Sequence, residues 1–192
     1  MKKFVLATAN QGKVREMRSI LSSLGIDFVS RNEINIDIDI EETGTTFLEN
    51  ATLKATKISE ISSLPAMADD SGLMVEALDG APGVYSSSFG GDDLTDYERC
   101  LFLLKKIENM EQRRAKFVCT IVCVFPDGNM VSAVGECHGT ISTTPMGTGG
   151  FGYDPVFIPD GYDKSMAELT SDEKNKISHR SIALRELRTK LR

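Results

Sequence analysis

Residues 114–137 read RAKFVCTIVCVFPDGNMVSAVGEC, two long apolar runs broken by Pro126, Asp127 and Gly128. A Pro-Asp-Gly step between runs of strand formers closes them into a hairpin, so part of the sheet is antiparallel. The N-terminus asks for a different unit. There FVLATANQGKVREM passes from an apolar run (with Lys2 and Lys3 before it) to Val14, Met17, Ile20, Leu21 and Leu24 at helical spacing, and Gly25 stops the pattern. A strand–loop–helix unit and a hairpin in one chain predict a mixed α/β sheet with helices on its faces.

The remaining segments fit that class. INIDIDIEE alternates, with Ile34, Ile36, Ile38 and Ile40 on one face, and reads as a strand. TTFLENATLKATKISEIS reads as a helix with Phe47, Leu48, Ala51, Ala55 and Ile58 in an apolar stripe and Asn50, Lys54 and Lys57 in a polar one. LPAMADDSGLMV reads as a strand running into two aspartates and a Ser-Gly turn. Thr95 with Glu98, and Thr170 with Glu173, are spaced as capping boxes, the second opening a helix expected to reach Leu191. No repeat or Pro/Gly/Ser-rich linker divides the 192 residues, so 1–192 is expected to form a single domain, with room for two lobes around a cleft.

Charge narrows the partners. A net charge of -6 does not suit a protein that coats nucleic acid or anionic membrane, and a bound anion needs a local basic cluster. Cys119 and Cys123 lie four apart on a strand and read as small buried apolar groups, and no cysteine pair is spaced CxxC. No signal peptide or membrane-spanning run is evident, which makes the cytoplasm the expected compartment.

Thr8, Asn10, Gly12 and Lys13 stand where the first strand becomes a helix. A helix start offers N–H groups and partial positive charge to an anion, and lysine adds a full charge. The Walker A pattern fails, because its first glycine is absent and Val14 follows the lysine. The stretch is therefore either a phosphate cradle or an ordinary turn. Glu41, Glu42, Asp69 and Asp70 are hard oxygen donors that suit magnesium, or else a solvated strand end. Adjacent strand residues point to opposite faces, so Asp69 and Asp70 cannot share one role. Lys54 reads as a solvated helix lysine unless its face meets a phosphate. GTGGFGYDP places Phe151 among glycines, where a ring could stack on a base and nearby N–H groups could read its edge, or where a plain loop would do. His179 reads as a packing or hydrogen-bonding residue before it reads as a general base. With His138 it completes the histidines, too few for a His-based zinc site. Ser86, Ser87 and Ser88 lack the Gly-x-Ser-x-Gly elbow of a nucleophilic serine.

The order of these segments is more specific than any one. LATANQGKVRE, EETGTTFLENATLKA, ADDSGL, GAPGVYS, GTGGFGYDPVF and AELTSDEKNKISHR span residues 6–180. In that order the chain resembles the inosine triphosphate pyrophosphatase (HAM1-like) family. The resemblance implies a long curved mixed sheet flanked by helices, two lobes around a central active-site cleft, and a homodimer. It implies Mg²⁺-dependent hydrolysis of non-standard purine nucleoside triphosphates (ITP, dITP, XTP) to the monophosphate and pyrophosphate. It also implies roles: Thr8, Asn10, Lys13, Lys54 and Ser71 on the phosphates; Glu41 and Asp70 on the metal; Asp70 as proton acceptor. Phe151, Gly152, Tyr153, Asp154, Lys174, His179 and Arg180 fall on the base and sugar pocket. Ser88 stands where the family often has arginine.

The expected chemistry is in-line attack by water on the α-phosphorus, with Lys13 and Lys54 stabilising the leaving pyrophosphate. A donor such as Arg180 or a loop N–H would favour a 6-oxo purine over adenine, because adenine would leave it unpaired. The competing readings are a Maf-like pyrophosphatase acting on pyrimidine or modified nucleotides, a nucleotide-binding sensor without turnover, and a plain ATPase or kinase. FGYDP and SHR speak against the first, and Glu41 with Asp70 against the second.

Overall fold

A computed structural model describes residues 3–22 and 25–191, so Lys2 and Leu24 of the expected first strand and helix lie outside the described residues. Six strands form one mixed sheet in the order β2-β1-β3-β4-β5-β6. They are β1 (Lys3–Leu6), β2 (Asp27–Ser30), β3 (Ala66–Val75), β4 (Arg114–Val124), β5 (Met130–Ile141) and β6 (Phe157–Pro159). The helices are α1 (Gln11–Leu21), α2 (Phe47–Ser62), α3 (Asp96–Lys106), α4 (Ser171–Ile177) and α5 (His179–Lys190). β1 is parallel to β2 and β3, and β5 is antiparallel to β6. The α/β class expected from the sequence is the class observed.

The chain divides into two compact units. One holds Met1–Asp70, Cys119–Gly135 and His179–Arg192; the other holds Ser71–Val118 and Glu136–Ser178. In the first unit, strand alternation sorts side chains into two cores. Phe4 and Leu6 of β1 join Val14, Met17 and Leu21 of α1 and Ala183, Leu184 and Leu187 of α5. Val5 and Ala7 join Ala51, Ala55 and Ile58 of α2. β4 divides the same way, Cys119, Ile121 and Cys123 against Val122 and Val124. The cysteines are free and buried, as expected, and burial pushes the Cys119 and Cys123 thiols up to about 12. Gly135 on β5 admits the start of α5: a Cβ there would lie 2.1 Å from the His179 carbonyl oxygen. The second unit packs Leu73 and Val75 with Cys100 and Leu103 of α3 and with Val156 and Phe157. Among the described residues no helix is long and apolar enough to cross a membrane.

Four expectations are corrected. Residues 36–42 form no strand: Arg31–Ile34 is a short 3-10 turn and the chain then runs extended. Its alternation is real, with Ile36 buried and Asp37 and Asp39 exposed, but the Arg31 side chain, not a neighbouring strand, binds the Ile38 carbonyl at 2.7 Å. No Ser-Gly turn follows the aspartates, because β3 continues through Ser71 and Gly72 to Val75. The last helix is broken at Ser178, whose extended ψ of 146° ends α4 and starts α5 at His179. On α2, Leu48 is 45% exposed and Asn50 only 2%, the reverse of their polarity; the reason is the contact that Asn50 makes below.

Candidate active site

β1 ends at Leu6, while its parallel neighbour β3 runs on to Asp69 and Asp70. Loops and side chains at the carboxyl ends of strands are the usual ligand sites of open α/β sheets. The strand period sends the two aspartates to opposite faces, as expected, and each meets a different helix.

Asp69 turns to the α1 and α5 side. Its Oδ2 accepts from Lys13 Nζ at 2.9 Å and from Arg180 Nε and Nη2 at 3.2 and 3.1 Å. Burial alone would raise its pKa. Lys13, Arg180 and Lys54 outweigh that and hold the carboxyl well below the usual range. Arg180 is itself 1% exposed and also donates to Glu16.

Asp70 turns to the α2 side. Lys54 Nζ lies 3.1 Å from Asp70 Oδ1 and 3.1 Å from Glu42 Oε2, so one ammonium sits between two carboxylates. Asn50 Nδ2 donates to Asp70 Oδ2 at 3.3 Å, and Asn50 Oδ1 accepts from Gly44 N–H at 2.8 Å. This is why an amide is buried on α2. Burial pushes the Asp70 carboxyl up to about 6, Lys54 opposing and Glu42 reinforcing. Lys54 is also buried, but Asp70 and Asp69 overcome that and raise its pKa. The charge of Lys13 is felt at Asp70 as well, so the two halves of the cluster communicate.

At the start of α1, Asn10 Oδ1 accepts from Gly12 N–H at 2.9 Å and Lys13 N–H at 3.1 Å, while Asn10 N–H donates to Thr8 Oγ1 at 3.2 Å. Thr8 and Asn10 therefore shape the loop, and two of the N–H groups expected to cradle an anion are already capped. Asn10→Ala should cost about 1 kcal/mol of stability, the usual worth of such a cap, read from the urea midpoint. Equal midpoints would mean the cap carries nothing.

The second unit gathers a different group. Asp154 Oδ2 accepts from Phe151 N–H at 2.9 Å and from Lys174 Nζ at 2.7 Å, and that ammonium lies 4.6 Å from the Phe151 ring centroid. Gly150 has φ +71°, and a Cβ there would lie 2.0 Å from Asp154 Oδ2, so only glycine leaves that carboxylate its place. Tyr153 is buried and its OH donates to the Ser86 carbonyl at 2.9 Å.

The profile of the Ham1 family matches residues 4–190. The chain belongs to the Ham1 family. A dITP/XTP pyrophosphatase of Aquifex aeolicus is 50% identical, covering 96% of this chain and 94% of that protein. One from Shigella flexneri is 47% identical, covering 100% and 99%. The solved structure of a HAM1 protein from Coxiella burnetii has a TM-score of 0.91 at 42% identity, covering 100% of this chain and 98% of that one.

Within this Ham1 fold the residues singled out in the sequence fall into two groups. Thr8, Asn10, Lys13, Lys54, Asp70, His179 and Arg180 belong to the first unit, and Ser71, Phe151, Gly152, Tyr153, Asp154 and Lys174 to the second. Glu41 is exposed and lines a hollow with Asp39, Thr52 and Lys57, while its neighbour Glu42 meets Lys54. His179 and Arg180 are both buried. The Phe151, Gly152 and Asp154 N–H groups, expected to be able to read a base edge, are bonded within the second unit. Ser88 donates back to the Tyr85 carbonyl of its own turn at 3.4 Å. Sequence reading missed Glu16 and Asp96, and gave Asn50 only a place on a polar stripe. A lone acid or amide on a helix carries no spacing signal until its neighbour across the fold is known.

Proposed function

We propose that the protein is a non-standard purine nucleoside triphosphate pyrophosphatase. It hydrolyses ITP, dITP or XTP to the monophosphate and pyrophosphate. The observation that carries this reading is the interleaving of charge at Asp69 and Asp70: two lysines alternate with three carboxylates, Lys13 on Asp69 and Lys54 between Asp70 and Glu42. Such a cluster suits a triphosphate accompanied by a cation. The dITP/XTP pyrophosphatase relatives support the substrate class.

Mg²⁺ fits the donor set. Asp70 and Glu42 each place a carboxylate oxygen 3.1 Å from Lys54 Nζ, and carboxylate oxygens are the hard donors that Mg²⁺ takes. Asp70 with the Glu41–Glu42 pair would hold the ion, which when bound supplies charge neutralisation at phosphate oxygens and a more acidic water. The chain's own groups do the rest. Lys13 and Lys54 exchange carboxylate for phosphate oxygens and stabilise charge on the departing pyrophosphate. A water oxygen bonds to the α-phosphorus as the bond to the bridging oxygen breaks, and Asp70 takes the proton. Phe151, carried beside Lys174 and Asp154, offers a ring for the base, with Gly152 and Tyr153 in the same loop; Ser71 and His179 are further substrate contacts in this reading, while the Arg180 guanidinium is held by Asp69 and Glu16. Family resemblance supports a homodimer, and four unpaired buried thiols suit a reducing cytoplasm.

The test is product analysis with Mg²⁺ across ITP, XTP, dITP, ATP and GTP, scoring pyrophosphate against orthophosphate. Pyrophosphate from the 6-oxo substrates, at rates orders of magnitude above ATP, is expected. Orthophosphate release, preference for pyrimidine triphosphates, or ITP binding without turnover would overturn the proposal.

A further inference from the structure

The segment Gly149–Asp154 is held from outside as well as from within. Asp96, the first residue of α3, accepts the Gly152 N–H on Oδ2 at 2.7 Å. One turn later, Cys100 donates its thiol to the Gly152 carbonyl at 3.3 Å. Residues four apart share a helix face, so α3 grips both the N–H and the carbonyl of one residue. Gly152 lies directly between Phe151, whose ring carries the Lys174 contact, and Tyr153, whose OH is fixed on Ser86.

Asp96 is not needed to start its helix. Thr95 caps α3 and exchanges hydrogen bonds with Glu98 in a full capping box. The segment leading into α3 is fastened by Arg99, which donates to the Phe89, Gly91 and Leu94 carbonyls at 2.8–2.9 Å. The Asp96 carboxylate is thus directed at the Phe151 loop, and its bond is short and charge-assisted. Burial, with Asp96 and Asp154 nearby, pushes the Cys100 thiol up to about 12 and keeps it a donor.

We propose that Asp96 is a positioning residue of the base subsite, fixing through the Gly152 N–H the pose in which Phe151 meets the nucleobase. The inference rests on the reading of the Phe151–Asp154 loop as that subsite. Asp96 acts on the loop through the Gly152 backbone N–H, so its loss should fall on substrate affinity and spare turnover.

The experiment compares wild type, Asp96→Ala, Asp96→Asn and Phe151→Ala on ITP, with inhibition by inorganic pyrophosphate measured in parallel. Removing a hydrogen bond to a charged group is worth about 10-fold or more, so Asp96→Ala should raise KM by about 10-fold with kcat within about twofold. Pyrophosphate inhibition should be unchanged. Asp96→Asn keeps an oxygen acceptor for the same N–H and should recover most of the affinity. If Asp96 acts only by placing negative charge at the start of α3, the Asn variant will fare as badly as Ala, the unfolding midpoint will move, and the proposal falls. It also falls if Phe151→Ala raises KM while Asp96→Ala does not. If Phe151→Ala leaves KM unchanged, the base-subsite reading itself fails, and the proposal with it.

Discussion

Asp70→Asn is expected to lower kcat by about 10²–10⁴ and at the same time to stabilise the metal-free protein. The first effect follows from removing the proton acceptor. The second follows from the environment of the side chain. Burial raises the Asp70 pKa from 3.8 to about 6 against the pull of Lys54, so the fold prefers the neutral acid. Between about pH 4 and pH 6 the folded chain holds a proton that the unfolded chain has released, and stability falls as pH rises through that window. The raised pKa is a penalty on the ionised carboxylate at neutral pH. Asparagine is neutral at every pH and escapes it. Urea unfolding of both proteins in EDTA should show nearly equal stability at pH 4 and a more stable variant at pH 7.5. Adding Mg²⁺ should narrow the gap by stabilising wild type alone. Near-normal turnover in the variant would remove Asp70 from proton transfer. A variant no more stable at pH 7.5 would mean that Lys54 and Asn50 fully compensate the buried charge.

The limits of sequence reading follow the same physical lines. Local signals carried well: the hairpin at Pro126–Gly128, the capping boxes at Thr95 and Thr170, and the N-terminal strand and helix all stand where their patterns put them. Each is set by contacts within a few residues. The alternating isoleucines of 34–40 misled because period two records which side of a chain is covered, and an extended segment against α2 and β1 satisfies it without a strand partner. The break at Ser178 was hidden because a serine is tolerated within helices. At the site, alternation alone separated Asp69 from Asp70. Choosing Glu42 as the neighbour of Lys54 needed the path of residues 36–46, where no period-based rule applies. Arg180 is the sharpest case. A basic residue near a suspected base pocket invites a donor role, whereas in the fold its guanidinium is buried on Asp69 and Glu16.

That ion cluster sets the last expectation: Asp69→Asn should be among the most destabilising single changes, costing about 3–5 kcal/mol at pH 7. Asp69 is fully buried and Arg180 nearly so, and Lys13 shares the same carboxylate oxygen. An asparagine can still accept one or two hydrogen bonds, but it cannot offset two cations, and the buried guanidinium loses a charged carboxylate partner. The pH dependence distinguishes this from loss of packing. The folded pKa of Asp69 is depressed, so its contribution is complete above the unfolded value near 4 and is lost as pH falls below it. Wild type should therefore lose about 1.4 kcal/mol per pH unit below pH 4 through this group, while the variant does not, and the difference between them should shrink. This slope is opposite in sign to that of Asp70, one residue away, because cations surround one carboxylate while desolvation governs the other. Urea midpoints at pH 7, 4 and 3 would read it directly. A gap that stays constant across that range would show that Asp69 holds Lys13 and Arg180 by shape and hydrogen bonding rather than by charge.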